Sequence, residues 1–164
     1  MLTMVDSLRA RQVPVVVVTP RRSPLRDLAG APGVLGVLEA DADRDALRAA
    51  IGGQRSYVVV VDDAELLRDT PLDDELADVL REARDGEHGM IVAGLTDDLK
   101  NAYRGFAADA LRSRSGLLLA VQSADDGDIL GVRLPRNAGT GGPIGRATLV
   151  RLSVPMPVQV ALPD

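Results

Sequence analysis

Short runs of branched aliphatic residues alternate along this chain with stretches whose apolar positions recur every three or four residues. Residues 15–18 (Val-Val-Val-Val) and 57–61 (Tyr-Val-Val-Val-Val) are continuous apolar runs. They are too short for helices and rich in β-branched side chains, so they predict buried strands. Residues 90–94 and 117–121 predict a third and a fourth core strand, and 33–38 a shorter one. Between them, Leu72, Leu76, Val79, Leu80 and Ala83 lie on one side of an amphipathic helix over 71–84. Asp41 or Asp43 caps a helix that runs to Ile51 and closes at Gly52-Gly53. A helical turn is expected from about Asp63 through Leu67. A further helical stretch opens at Thr96-Asp97-Asp98 and continues over 104–111. Leu2, Val5 and Leu8 share one face of an opening helix over 1–11 that has no N-cap residue ahead of it. Ser23 and Pro24 form the N-cap and first residue of a short helix reaching Ala29.

The pattern changes after Asn137. Residues 137–145 are a Gly-rich loop. The extended runs 146–152 and 158–162 are joined at Pro155-Met156-Pro157. They read as an antiparallel hairpin or two edge strands, because proline cannot donate to a central ladder. Strand–helix alternation over the first three quarters of the chain predicts an α/β fold with a mainly parallel sheet covered by helices on both faces. At 164 residues a single domain is expected, with a core over 1–122 and a C-terminal loop and hairpin over 123–164.

Composition narrows the chemistry. Only Tyr57, Tyr103 and Phe106 are aromatic, so the core is aliphatic. The net charge of −5 weighs against a surface that grips DNA through phosphate contacts. Lys100 is the only lysine, so any lysine-dependent step must use it. The chain has no cysteine, which excludes disulfides and thiolate zinc sites. The lone His88, in a Gly-Glu-His-Gly turn, cannot build a histidine metal site and reads as a surface turn residue. No run approaches the ~20 apolar residues of a membrane span. The N-terminus lacks a signal-peptide pattern, and a cytoplasmic location is the expectation.

The second valine run ends in two acids, Asp62-Asp63. A parallel strand leaves its sheet at such a point, and open α/β folds place ligand chemistry on that edge. One reading is a Walker B pair. Asp62 would hold Mg²⁺ through its water shell, and Asp63 would orient or deprotonate an attacking water. The other reading is capping, since Asp62 to Glu65 has the spacing of an acidic helix start. Thr96, just past the third core strand, is either a hydroxyl that senses a γ-phosphate or the cap of the next helix. The segment Gly139-Thr140-Gly141-Gly142-Pro143-Ile144-Gly145-Arg146 is not a phosphate loop. It lacks the GK[ST] ending and precedes a strand rather than a helix N-terminus. Arg146 is its one charged candidate. No GxxxxGK[ST] occurs anywhere in the sequence, and no serine sits in a nucleophile elbow.

Together these segments resemble the second part of an FtsK/SpoIIIE-type motor ATPase domain. The likeness is greatest to the degenerate C-terminal ATPase modules of type VII secretion EccC proteins. Leu2 to Leu8 resembles the end of a helix that follows a P-loop. Val15 to Val18 with Thr19-Pro20 and Ser23-Pro24-Leu25 resembles the next strand and an "SPL" helix start. Val58-Val59-Val60-Val61-Asp62-Asp63-Ala64-Glu65-Leu66-Leu67 resembles the Walker B segment. Gly89 to Gly94 resembles the following strand, although His88 is shifted one place from the family's Gly-x-His. Pro143-Ile144-Gly145-Arg146 resembles the "PPGRG" turn, and Val158-Gln159-Val160-Ala161 the closing "VQ[VL]A" strand. Two departures stand out: the P-loop is missing, and Asp63 stands where the working translocases carry Glu.

The resemblance implies a P-loop-NTPase-like three-layer fold, truncated so that the P-loop strand is missing between 90–94 and 117–121. It implies an ATP-driven translocase of protein or DNA, possessing Mg-ATP in the complete parent domain and no cofactor in this chain alone. It implies Asp62, Asp63 and Thr96 as catalytic residues, Asp62 as the metal ligand, and Arg146 as an arginine near a neighbour's nucleotide. Its expected partners are further copies or neighbouring ATPase modules, a protein substrate and a membrane-anchored parent complex, with DNA left open. The competing class is a non-enzymatic module that keeps the fold and binds a partner. A receiver-like phosphoacceptor domain would need a lysine after its final core strand, where Gln122-Ser123 stands.

Overall fold

The computed structural model describes residues 1–138 and 142–161. The chain divides into two compact units, Met1–Ala110 and Leu111–Asp164. In the first, four parallel strands are Val15–Val18 (β1), Val34–Leu38 (β2), Val58–Val61 (β3) and Gly89–Val92 (β4), in the order β2-β1-β3-β4. β1 and β3 run in step, Val15 beside Val58 through Val18 beside Val61.

The valines explain why this sheet is two-sided. Alternate side chains of a strand point to opposite faces. Val16, Val18, Val59 and Val61 enter one core, and Val15, Val17 and Val60 enter the other. All seven are fully buried, each contributing roughly 1.5–3 kcal/mol of transfer free energy before conformational entropy offsets it. The first face is covered by Leu47 and Ile51 of helix Arg44–Ile51 (α2) together with Leu72, Leu76 and Val79 of helix Pro71–Glu82 (α3). The second is covered by Val5 of helix Leu2–Ala10 (α1) and by Leu25 of the 3₁₀ turn Pro24–Leu28.

Local caps fix the ends. Asp43 accepts from Ala46 N at 2.9 Å and starts α2, and Ser23 accepts from Leu25 N at 3.3 Å. Helices α2 and α3 are tied by a buried acid. Glu75, only 2% exposed, receives Arg44 at 2.7 Å and Arg48, and Arg48 also reaches Glu82 at 3.0 Å. Asp73 is a second buried acid. Its two oxygens accept the backbone N–H of Asp69 at 3.1 Å and of Phe106 at 3.2 Å. That clamps the start of α3 to helix Gly105–Leu111 (α5). The stretch expected to run on from Thr96 is instead two helices, since α4 (Thr96–Lys100) ends at Asn101 and α5 starts afresh at Gly105, whose φ of +79° does not continue a helix. His88 is not a bare surface turn residue. Its ring stacks on Tyr57 with centroids 4.6 Å apart, and its Nε2 lies 3.1 Å from the Val79 carbonyl.

The second unit holds an antiparallel sheet, in the order β5-β6-β7, of Gly116–Leu119 (β5), Arg146–Arg151 (β6) and Val154–Gln159 (β7). Leu118 and Val150 pack on Leu130, Val132 and Leu134. The run expected as a fourth strand of the parallel sheet is thus corrected: it pairs antiparallel with β6, Leu117 opposite Leu149. The hairpin joint is also corrected. Leu152 and Ser153 make the turn, with φ of +51° and +61°, the positive values that suit a two-residue hairpin. Pro155 and Pro157 lie inside β7. Val160 N–H donates to Gly145 O at 2.8 Å, so the even-numbered residues of β7 bond to β6 and the odd ones face away. The prolines occupy outward positions, where no ladder bond is lost.

Candidate functional site

The parallel sheet changes winding direction at β1. The chain goes from β1 to β2 on one side, then crosses back to β3 on the other. Ligand crevices of open α/β sheets form at this switch point, beyond the carboxyl ends of the strands. Here the crevice lies between the loop after β1 and the acids after β3. Asp62 N–H still belongs to the ladder, donating to Val18 O at 2.9 Å, so its side chain is fixed at the sheet's edge.

The loop after β1 is held by Thr19. That residue is fully buried, and its hydroxyl donates to Arg21 O at 3.1 Å. This places Ser23, whose hydroxyl donates to Asp62 Oδ2 at 3.4 Å, and Arg21, whose guanidinium lies 4.0 Å from Asp63 Oδ1. Burial pushes the Asp62 carboxyl above its ordinary range, and the Asp63 carboxylate pushes it further. The chain's amino terminus, the Asp63 N–H and the Ser23 hydroxyl pull it back. Asp63 has a left-handed backbone, φ +47° and ψ +49°. It immediately precedes the 3₁₀ turn Ala64–Leu67 but makes no side-chain cap bond to it, so the two acids do not act as a helix cap.

Thr96 follows the same sheet edge. Ala64 N–H donates to Ala93 O at 2.9 Å, which zips the ends of β3 and β4 together. Thr96 is the first residue of α4 and the residue before it is Leu95, with no side-chain cap; the capping role expected of Thr96 is not made. Arg146 opens β6 in the second unit, exposed, with its side chain lying over Gly142. Residues 139–141 of the Gly-rich loop lie outside the described residues.

Ser23, first read only as a cap, and Arg21 are the residues that sequence reasoning missed as members of this site. The available signal was their position, directly after the first parallel strand, in a loop that a switch point places opposite the strand carrying the acids. Asp62 Oδ2 and Ser23 Oγ are oxygen donors of the kind magnesium takes, and that ion needs few protein ligands because it keeps its waters. Among the described residues no group of three or more Asp, Glu, His or Cys could enclose a metal ion. A magnesium ion held by one carboxylate and water fits the site; an all-protein metal cage does not.

No family model matches the chain, and no curated protein matches it. A solved structure does: Thermomonospora curvata EccC (ATPases 2 and 3) in complex with a signal sequence peptide. The TM-score is 0.67 with 22% identity, over 93% of this chain and 31% of that one. The chain therefore spans about a third of the length of that neighbour, and the likeness is one of fold. The α/β architecture, with a four-stranded parallel sheet and a separate antiparallel sheet, shares its fold with part of that structure. Among the described residues no helix is long and apolar enough to cross a membrane.

Proposed function

We propose that this chain is the C-terminal part of an FtsK/SpoIIIE-like ATPase module of a secretion-type motor. On this reading it carries the acid pair and lacks the phosphate grip. The observation that supports the reading best is the crevice at β1 and β3. There Asp62 and Asp63 leave the central parallel strand and face Ser23 and Arg21 from the neighbouring one. The fold likeness to EccC supports the same reading.

In the complete domain Asp62 and Ser23 would hold magnesium, whose charge would neutralise phosphate oxygens. Asp63 would accept a proton from, or orient, the attacking water. Its left-handed backbone turns it out of the strand direction that Asp62 follows. The sequence contains no GxxxxGK[ST] motif to cradle phosphates, so on this reading the 164 residues should not hydrolyse nucleotide unaided. Thr96 would act as the sensor hydroxyl on the same edge, and Arg146 would reach nucleotide or carboxylate on a neighbouring module. Partners under this reading are further copies or ATPase modules and a protein substrate; the neighbour's bound signal sequence peptide favours protein over DNA as cargo.

The test uses a form of the protein extended upstream in its reading frame to include a phosphate loop. Hydrolysis should appear with the extension. Asp63→Asn in that form should slow it by about 100-fold or more while changing nucleotide affinity only a few-fold, because a water-positioning acid acts in the transition state. Equal loss of rate and affinity, or no change, would favour the partner-binding module without catalysis.

A further inference from the structure

In the antiparallel sheet β6 lies between β5 and β7, so each outer strand has one side without a partner in that sheet. The ladder fixes which groups face that side. Val160 N–H donates to Gly145 O, so Ala147 and Leu149 of β6 bond to β7. Thr148 and Val150 then bond to Leu118 and Gly116 of β5, which they oppose. Leu117 and Leu119 therefore turn their N–H and C=O groups outward. The outward edge of β7 has lost donors to Pro155 and Pro157. Nothing blocks β5: Gly116-Leu117-Leu118-Leu119 holds no proline and no charge.

Outward ladder groups define their occupant as an extended backbone. The flanks of β5 say which one. Arg112 and Arg114 precede the strand, and Asp125 and Asp126 follow it. Arg112, Arg114 and Asp125 are exposed. A second β5 laid antiparallel brings the basic end of each strand to the acidic end of the other, whereas a parallel one sets like charge beside like. The register that matches outward groups puts Leu117 of each copy opposite Leu119 of the other, with Leu118 of both on the two-fold axis. Each outward donor then meets an outward acceptor. Leu119, 54% exposed in the single chain, gains a leucine across the strand pair.

We propose that β5 is a self-pairing edge: two copies of this chain join antiparallel through Leu117 and Leu119 into one continuous sheet across a two-fold axis. The prolines of β7 stop this sheet from growing further, because the outer edges of the joined sheet are the blocked ones. A strand of four residues buries little surface, so the dimer is a weak one that forms at high concentration. None of these residues belongs to the crevice at β1 and β3, and the pairing stands whether or not the nucleotide reading does.

Sedimentation equilibrium of the 164-residue chain should show a monomer–dimer equilibrium as concentration rises to about 1 mM. Amide hydrogen exchange, followed residue by residue, shows which groups pair. The Leu117 and Leu119 amides should exchange about tenfold more slowly at the highest concentration than at the lowest, while Leu118, bonded to β6, stays unchanged. Leu119→Pro removes one outward donor, and Leu119→Lys sets a charge on the edge. Each should weaken dimerisation by about tenfold or more. Should Leu119→Pro fail to fold, Leu119→Lys, at an exposed position, decides the matter. A strict monomer up to about 1 mM would overturn the proposal; an edge reserved for a strand of a different protein would give that result. A dimer that leaves the Leu117 and Leu119 amides unprotected, or that survives Leu119→Lys unweakened, would overturn it as well.

Discussion

The half-buried carboxyl of Asp62 is penalised twice when it ionises, first by burial and then by Asp63 next to it. Its pKa is therefore raised in the folded chain. The folded state holds the proton more tightly than the unfolded one, so stability falls as pH rises from the ordinary aspartate value through the raised one. Asp62→Asn removes the ionisation and keeps a Ser23 partner. The variant should melt at a higher temperature than the wild type at pH 7, with the difference fading below the ordinary aspartate pKa. A melting series over pH 3–8 checks this; a variant less stable at pH 7 than at pH 3, relative to wild type, would contradict it. The opposite sign operates at Glu82, whose pKa is lowered chiefly by its hydrogen bond from Arg48. Its exposed position makes that contribution small.

At the scale of elements, the two edges of the antiparallel sheet differ. The outward positions 155 and 157 of β7 are prolines, which removes N–H donors from that edge. β5 carries no such block, and its Leu119 is 54% exposed. Edge strands without a blocking residue tend to pair with other chains. Replacing both prolines with valine should restore donors to β7 and shift the chain to larger assemblies. Light scattering over a concentration series measures this; unchanged mass in the double variant would show that the prolines do not guard the edge.

These elements also show how far the sequence could be read. The valine runs, the Ser23 and Asp43 caps and the face of α3 were legible because each is set by local periodicity or capping chemistry. The partner of β5 was not. Gly116-Leu117-Leu118-Leu119 is apolar throughout, and such a run looks the same in a parallel or an antiparallel sheet. The 3₁₀ turn Ala124–Leu130 went unread, although Ser123 and Asp126 form the capping box that announces it. The crevice was half legible. Asp62 and Asp63 are adjacent and visible, but Ser23 lies 39 residues away from Asp62, and only the winding of the sheet brings them together.

For the whole molecule, the fold and the site make separate demands. The two-sided valine sheet forms from these residues, with its acids at the switch point. Phosphate binding needs several backbone N–H groups aimed at one anion, and a lysine or arginine beside them. The acids alone repel a nucleotide, and the net charge of −5 adds to that repulsion. The central proposal is that this chain would supply the acid half of an ATPase site without its phosphate half. Isothermal calorimetry of Mg-ATP titrated into the 164-residue chain tests it most directly. The account predicts no saturable heat up to about 1 mM nucleotide, whereas a Kd of about 1 μM would contradict it.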